Sequence, residues 1–355
     1  MPNNTERFSS KIRRSIGDEG VPHPHCFLSI VKGVFILQGF FMASENVVHL
    51  SGLKKKSLIR RLIDDRYIYL LLLPGFAFFV VFRYTPMWML VIAFQEYNPW
   101  VGVFKSEWVG LRHFQYLLTD PMFYLMLRNT LAINMMGLVF YFPIPVFLAL
   151  LLNEVKHSKF KRFIQTIFYF PHFLSWVIVV SLTYFMLSID IGLINKIFVL
   201  LGLPTVSFMT NPRLFWIIIT AQQIWREAGW GTIVFLAALA GVDVEQYEAA
   251  IIDGAGRFAR ILYITIPAIM PTIIVLLLLQ LGNIASVAFE QVLLMSNPLV
   301  NNVAEVFDTY AYRVGIVQNS ISFGTSVNVF KGIVGVVFVW FSNYSVKKLG
   351  YEGIY

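Results

Sequence analysis

Charge is scarce in this sequence: Asp, Glu, Lys and Arg make up 14% of its 355 residues, against 57% hydrophobic residues and a mean hydropathy of +0.67. A soluble domain carries about 25% charged residues, so a water-facing fold is excluded for most of the chain. Cysteine is nearly absent, and the lone Cys26 excludes an internal disulfide framework. The adjacent His23-Pro24-His25-Cys26 has no second ligand cluster at zinc-site spacing, so no metal site is read from it. The dipeptide Gly-Lys never occurs, and with it goes the G-x-x-x-x-G-K-[ST] loop that cradles nucleotide phosphates. Neither H-E-x-x-H nor G-x-S-x-G is present, so no catalytic residues are assigned. The ion-coupling site and internal repeats of a secondary transporter are also missing from the pattern.

What the sequence has in abundance is apolar runs near the roughly 20 residues an α-helix needs to cross a hydrocarbon layer about 30 Å thick. An unpaired backbone group in that layer costs several kcal/mol, so helices follow. The fold class is all-α and polytopic, with six spans predicted at 67–94, 130–152, 163–187, 215–239, 271–295 and 328–345. Pro74 and Pro86 fall in the first span and Pro143 and Pro145 in the second, which predicts that these spans face protein on one side. Residues 1–56 mix charges with a short apolar stretch, Phe27 to Ala43, broken by Lys32. They are read as a peripheral N-terminal extension, with residues 57–355 as the membrane domain.

Lys and Arg exceed Asp and Glu by 28 to 20, but the basic residues sit beside hydrophobic segments instead of forming a nucleic-acid-binding domain. Counted near the span ends, fourteen lie on the side of the N-terminal flank, the 153–162 and 240–270 loops and the C-terminal tail, and six on the other. The positive-inside rule then makes both termini and the 240–270 loop cytoplasmic.

That loop reads Glu245-Gln246-Tyr247-Glu248-Ala249-Ala250-Ile251-Ile252-Asp253-Gly254-Ala255-Gly256-Arg257 and runs on to Ile264-Thr265-Ile266-Pro267. Residues 245–252 favour a short helix whose Ala pair keeps one face thin, and Gly254 permits a turn with φ > 0 that a Cβ would penalise. A second short helix is predicted to follow, with Phe258, Ile261, Leu262 and Ile264 toward the membrane interface, and to end near Pro267.

The order Glu-Ala-Ala, two apolar residues, Asp-Gly-Ala and a closing Pro resembles the EAA loop of permease subunits in ATP-binding-cassette importers. The stretches Tyr69 to Gly75, Ile92 to Pro99, Trp108 to Phe114 and Asn297 to Val300 resemble the complex-carbohydrate branch of the maltose and multiple-sugar family. The resemblance covers roughly 61–355. It implies a six-helix type I importer permease in a bacterial cell membrane, with Glu248, Ala249, Ala250, Asp253, Gly254 and Ala255 forming a coupling helix and turn. It also implies a second homologous permease, two ATPase subunits that hold the ATP and Mg²⁺ absent from this chain, a lipid-anchored extracellular solute-binding protein and an oligosaccharide cargo.

Ionisable and amide side chains within the spans offer a second signal, because such groups at membrane depth are costly and face cavities or partners. The fourth span holds Gln222, Gln223, Trp225, Arg226, Glu227 and Trp230, and the fifth Gln280, Asn283, Ser286, Glu290 and Gln291. Sugars are held by hydrogen bonds to hydroxyls and flat contact with aromatic faces. In the maltose-type relatives the sugar lies between the spans flanking the loop, which makes Arg226, Glu227, Trp230, Asn283, Ser286 and Glu290 the candidate substrate path.

Overall fold

The computed structural model describes residues 66–348 and 350; the extension at 1–56 and the grouping at 23–26 lie outside the described residues. The chain divides into two units at Gly75–Phe76, and of the first only the residues opening helix α1 are described.

In chain order the elements begin with α1 (Arg66–Phe94) and a two-stranded antiparallel hairpin, β1 (Gln95–Glu96) and β2 (Glu107–Trp108). Then come α2 (Arg112–Thr119), α3 (Phe123–Asn153), α4 (Ser158–Tyr169), α5 (Trp176–Leu187) and α6 (Leu193–Leu200). The second half has α7 (Pro212–Leu239), α8 (Val244–Ile252), α9 (Arg257–Gly282), α10 (Phe289–Met295), α11 (Asn301–Ala304), α12 (Phe307–Tyr312) and α13 (Ile321–Lys348). Helices α1, α3, α9 and α13 are each long and apolar enough to cross a bilayer. The crossings reach six when two bent pairs are counted as one span each: Ser158–Phe173 with α5 at 100°, and α7 with α8 at 76°.

Contacts sort the helix ends onto two faces. On one, the Tyr97 amide donates to Ser322 Oγ at 2.8 Å, Asn129 Nδ2 to the Glu305 carbonyl at 2.9 Å, and Trp216 Nε1 to the Val303 carbonyl at 2.9 Å. The end of α1, the starts of α3, α7 and α13, and the connection carrying α10 to α12 therefore meet there. Here too the Tyr310 hydroxyl donates to Asp120, and burial followed by that carboxylate pushes the phenol pKa up. On the opposite face, Ala149, Phe235, Leu239 and Ile269 form one buried cluster beneath the α7–α8 bend.

Proline explains much of the local winding. Wide π turns at Val80–Tyr84, Gly137–Tyr141 and Ile261–Thr265 each end two residues before a proline: Pro86, Pro143 and Pro267. Proline has no N–H and its ring crowds the carbonyl four residues back; a widened turn relieves both without breaking the helix. Hence α9 runs through Pro267, and the predicted separate helix ending there is corrected. In the first span, no residue from Arg66 to Met87 is buried among the described residues of this chain. The Val80 carbonyl accepts both the Thr85 amide and, at 2.9 Å, Thr85 Oγ1 within the helix.

Two predicted spans are broken. The third, 163–187, bends at Leu174–Ser175, where a 3-10 turn at Phe170–Phe173 contains Pro171 and the Ser175 hydroxyl caps α5 by accepting from the Ile178 amide. The fifth, 271–295, is helical only to Gly282; residues 283–288 are non-helical before α10. Asn134 Nδ2, on α3, donates to the carbonyls of Ile284 and Ser286 at 2.9 and 3.1 Å. A side chain thus replaces the hydrogen bonds that a continuous helix would have made.

Helices α9 and α13 touch through backbone, where a Cβ on Gly335 would stand 2.6 Å from the Gly282 carbonyl oxygen, whereas a Cβ on Gly332 meets nothing within 4 Å. Gly335→Ala is therefore expected to lower stability by about 1–3 kcal/mol through overpacking, and Gly332→Ala to leave it within about 0.5 kcal/mol. Thermal unfolding of both variants in lipid nanodiscs checks the contrast.

Candidate functional site

The segment between α7 and α9 is built by turn chemistry. Asp243 caps α8 by accepting from the Glu245 amide at 2.9 Å. At the other end Gly254 has φ +78°. The Ala255 amide donates to the Ala250 carbonyl at 2.8 Å and the Gly254 amide to the Ile251 carbonyl at 3.0 Å, the paired bonds of a Schellman motif. An L-residue at Gly254 would be strained, although a Cβ there meets nothing within 4 Å.

No residue of α8 is buried. Glu248, Ala249, Asp253 and Gly254 are exposed, Ala250 and Ala255 partly so, and Ile252 is 86% exposed. One bond ties the helix down: the Tyr247 hydroxyl pairs with Thr265 Oγ1 at 2.8 Å, fastening α8 to the first turns of α9.

The polar residues within the spans fall into separate groups. Gln222 and Gln291 are buried and joined, Gln291 Nε2 donating to Gln222 Oε1 and to the Ile219 carbonyl, both at 2.9 Å, so they bind α7 to α10. Arg226, Glu227 and Trp230 meet at the bend of the third span. Arg226 Nε donates to the Leu174 carbonyl at 2.9 Å, its guanidinium lies 4.6 Å from the Trp176 ring centre, and it pairs with Glu227. His172 completes the group: Nδ1 lies 2.8 Å from Glu227 Oε2, and its ring stacks on Trp230 with centroids 4.4 Å apart and planes 5° apart. Sequence reading missed His172; the signal was an ionisable residue beside Pro171 in an apolar run.

The structure places the remaining candidates elsewhere. Asn283 and Ser286 line an open cleft of about 540 Å³ between the end of α9 and α13, with Asn328, Lys331, Gly332 and Gly335 on the α13 side. Glu290 is exposed on the first turn of α10. Lys331 too escaped the sequence reading, although it is the only charged residue of α13 before Lys347.

Known proteins resemble this chain over most of its length. The model of the family described as "Binding-protein-dependent transport system inner membrane component" matches residues 142–350. The permease protein YteP of the polygalacturonan/rhamnogalacturonan transport system of Bacillus subtilis is 49% identical over 302 residues, 85% of this chain and 94% of YteP. Protein LplB of the same organism is 50% identical over 291 residues, covering 82% and 92% of the two chains. Among solved structures, a chain of a bacterial alginate ABC transporter in complex with an alginate pentasaccharide-bound periplasmic protein superposes with a TM-score of 0.76. It is 36% identical, and the match covers 84% of this chain and all of that one.

Tyr247→Phe removes the one side-chain bond from α8 to α9. Its loss is expected to cost about 0.5–1.5 kcal/mol and to speed amide hydrogen exchange in 244–256 more than in α7, read by mass spectrometry.

Proposed function

The chain belongs to the family of binding-protein-dependent transport system inner membrane components and is a permease subunit of an ATP-binding-cassette importer; we propose that its cargo is an oligosaccharide and that α8 is where a separate ATPase drives it. The observation that carries this reading is a capped, unburied helix held to α9 by a single side-chain bond. A groove on an ATPase grips such a helix, Glu248 meets a basic residue there, and the Gly254 turn lets the chain leave at the required angle. ATP and Mg²⁺ are bound by that ATPase.

The charge count favours a cytoplasmic side for α8, both termini and the 153–162 loop. The β1–β2 hairpin and the connection carrying α10 to α12 then face outward, where a lipid-anchored binding protein delivers the sugar. A second, homologous permease completes the pathway. Closure of two ATPase subunits pushes on α8, and the paired permeases alternate between outward-facing and inward-facing arrangements. Sugar chemistry fits the half-exposed ring of Trp230 and the amide and hydroxyl of Asn283 and Ser286 in their cleft. Arg226 and Glu227 hold the bend that positions Trp230. Glu290, exposed on the first turn of α10, lines neither group. Relatives bearing the names of polygalacturonan, rhamnogalacturonan and alginate support an oligosaccharide over a small ion or amino acid.

Glu248→Lys and Gly254→Trp are expected to reach the membrane in normal yield and to lose more than about tenfold of the ATPase that co-purifies with the native chain, the scale of a reversed interfacial charge. Normal recovery of the ATPase with both variants contradicts the docking assignment. Trp230→Ala and Asn283→Ala should keep the ATPase but raise the sugar concentration for half-maximal uptake several-fold; unchanged uptake at low sugar removes them from the path.

A further inference from the structure

Lys331 stands where the cleft of Asn283 and Ser286 meets the short helix α12. Its ammonium donates to Asp308 Oδ1, and the second oxygen of Asp308 accepts the Val287 amide at 3.0 Å. The side chains of Lys331 and Asp308 are 9% and 16% exposed. Burying two charges at membrane depth is costly, and the attraction between them recovers that cost only in part. If the pair served only to join helices, an apolar contact would do it with less strain.

The lysine is also held at a fixed depth. A Cβ on Gly335 would meet the Gly282 carbonyl oxygen at 2.6 Å, and one on Gly324 would meet the Gly315 Cα at 2.6 Å. These backbone contacts bracket Lys331 on α13, one on either side. An ammonium carries three donors, and Asp308, its one partner among the described residues, takes a single bond. The other two remain for a group entering the cleft whose wall Lys331 forms. Asn283, Ser286 and Asn328 on that wall suit hydroxyls, and of the cleft's lining residues Lys331 alone carries a positive charge to match a carboxylate.

We propose that Lys331 is the specificity-determining residue for acidic oligosaccharides, accepting the carboxylate of a uronic acid unit in competition with Asp308. A uronate reaching the ammonium weakens the Asp308 contact, and Asp308 also holds Val287 in the non-helical link after α9. Recognition of an acidic sugar is thereby tied to the end of the helix that begins at the ATPase-driven loop. This inference rests on the oligosaccharide-importer reading above.

The test uses the complete transporter, with its partner subunits and binding protein, in proteoliposomes, and two probes: trigalacturonate and its trimethyl ester. Lys331→Met is expected to raise the half-saturating concentration of the acid by more than about tenfold, the scale of a lost hydrogen bond to a charged group, and to change that of the ester less than twofold. Lys331→Arg should keep the preference for the acid. Asp308→Asn, which retains an acceptor for Val287, should lower the half-saturating concentration of the acid and not of the ester.

Equal effects of Lys331→Met on both probes, or no effect on either, overturn the assignment and leave the pair a helix tie. If Lys331→Met does not assemble, the other two variants decide: loss of acid preference in Lys331→Arg, or no gain for the acid in Asp308→Asn, overturns it. Uptake of neutral oligosaccharides but of neither probe by the native complex overturns the uronate assignment alone, whereas no uptake of any oligosaccharide counts against the cargo reading, which separates the two failures.

Discussion

Every backbone group freed inside a bilayer must find a partner within the protein, and this fold depends on how that demand is met where its helices break. At the bend between α4 and α5, the Leu174 carbonyl receives Arg226 Nε from α7. In the link after α9, the carbonyls of Ile284 and Ser286 receive the Asn134 amide from α3, while the Val287 amide reaches Asp308 on α12. Each break is thus closed by a polar side chain from a neighbouring helix. Polar residues that look out of place in apolar spans are what allow those spans to be discontinuous. Pro86, Pro143 and Pro267 are met differently, each preceded by a π turn within its own helix.

This division explains what the sequence made legible. The α8 segment and its Gly254 turn were readable because their causes are local: helix formers and a glycine at the position where φ turns positive. The breaks at Leu174–Ser175 and at 283–288 were not, because their causes are remote. Ile284, Ala285, Val287 and Ala288 keep the run apolar through the second break, and nothing near them in the chain announces that Asn134 will close it. Among the candidate path residues, Arg226, Glu227 and Trp230 do come together, but around His172, which the pattern of apolar runs concealed. Asn283 and Ser286 share a cleft with Lys331, whose importance shows only when Asp308 is folded against it.

The same architecture gives force a route. Helix α9 is continuous for 26 residues, about 39 Å at the α-helical rise, from the turn after α8 to Gly282. Under the proposed docking, a displacement of α8, fastened near its start through Tyr247 and Thr265, would pass along that single element to the non-helical link at its far end. There the helix ends, and the non-helical link beyond it is held by Asn134 and Asp308. In the proposed mechanism, rigid segments would carry the movement and these side-chain-bridged breaks would let the membrane domain change shape.

The central claim, that a neighbouring helix stabilises the broken fifth span, is tested most directly by Asn134→Leu in the complete complex in lipid nanodiscs, followed by thermal unfolding. Leucine matches asparagine closely in shape and suits an apolar interior better. If the amide closes the break, stability falls by about 1–3 kcal/mol as buried carbonyls lose their donor. Stability that is unchanged or higher would contradict the account.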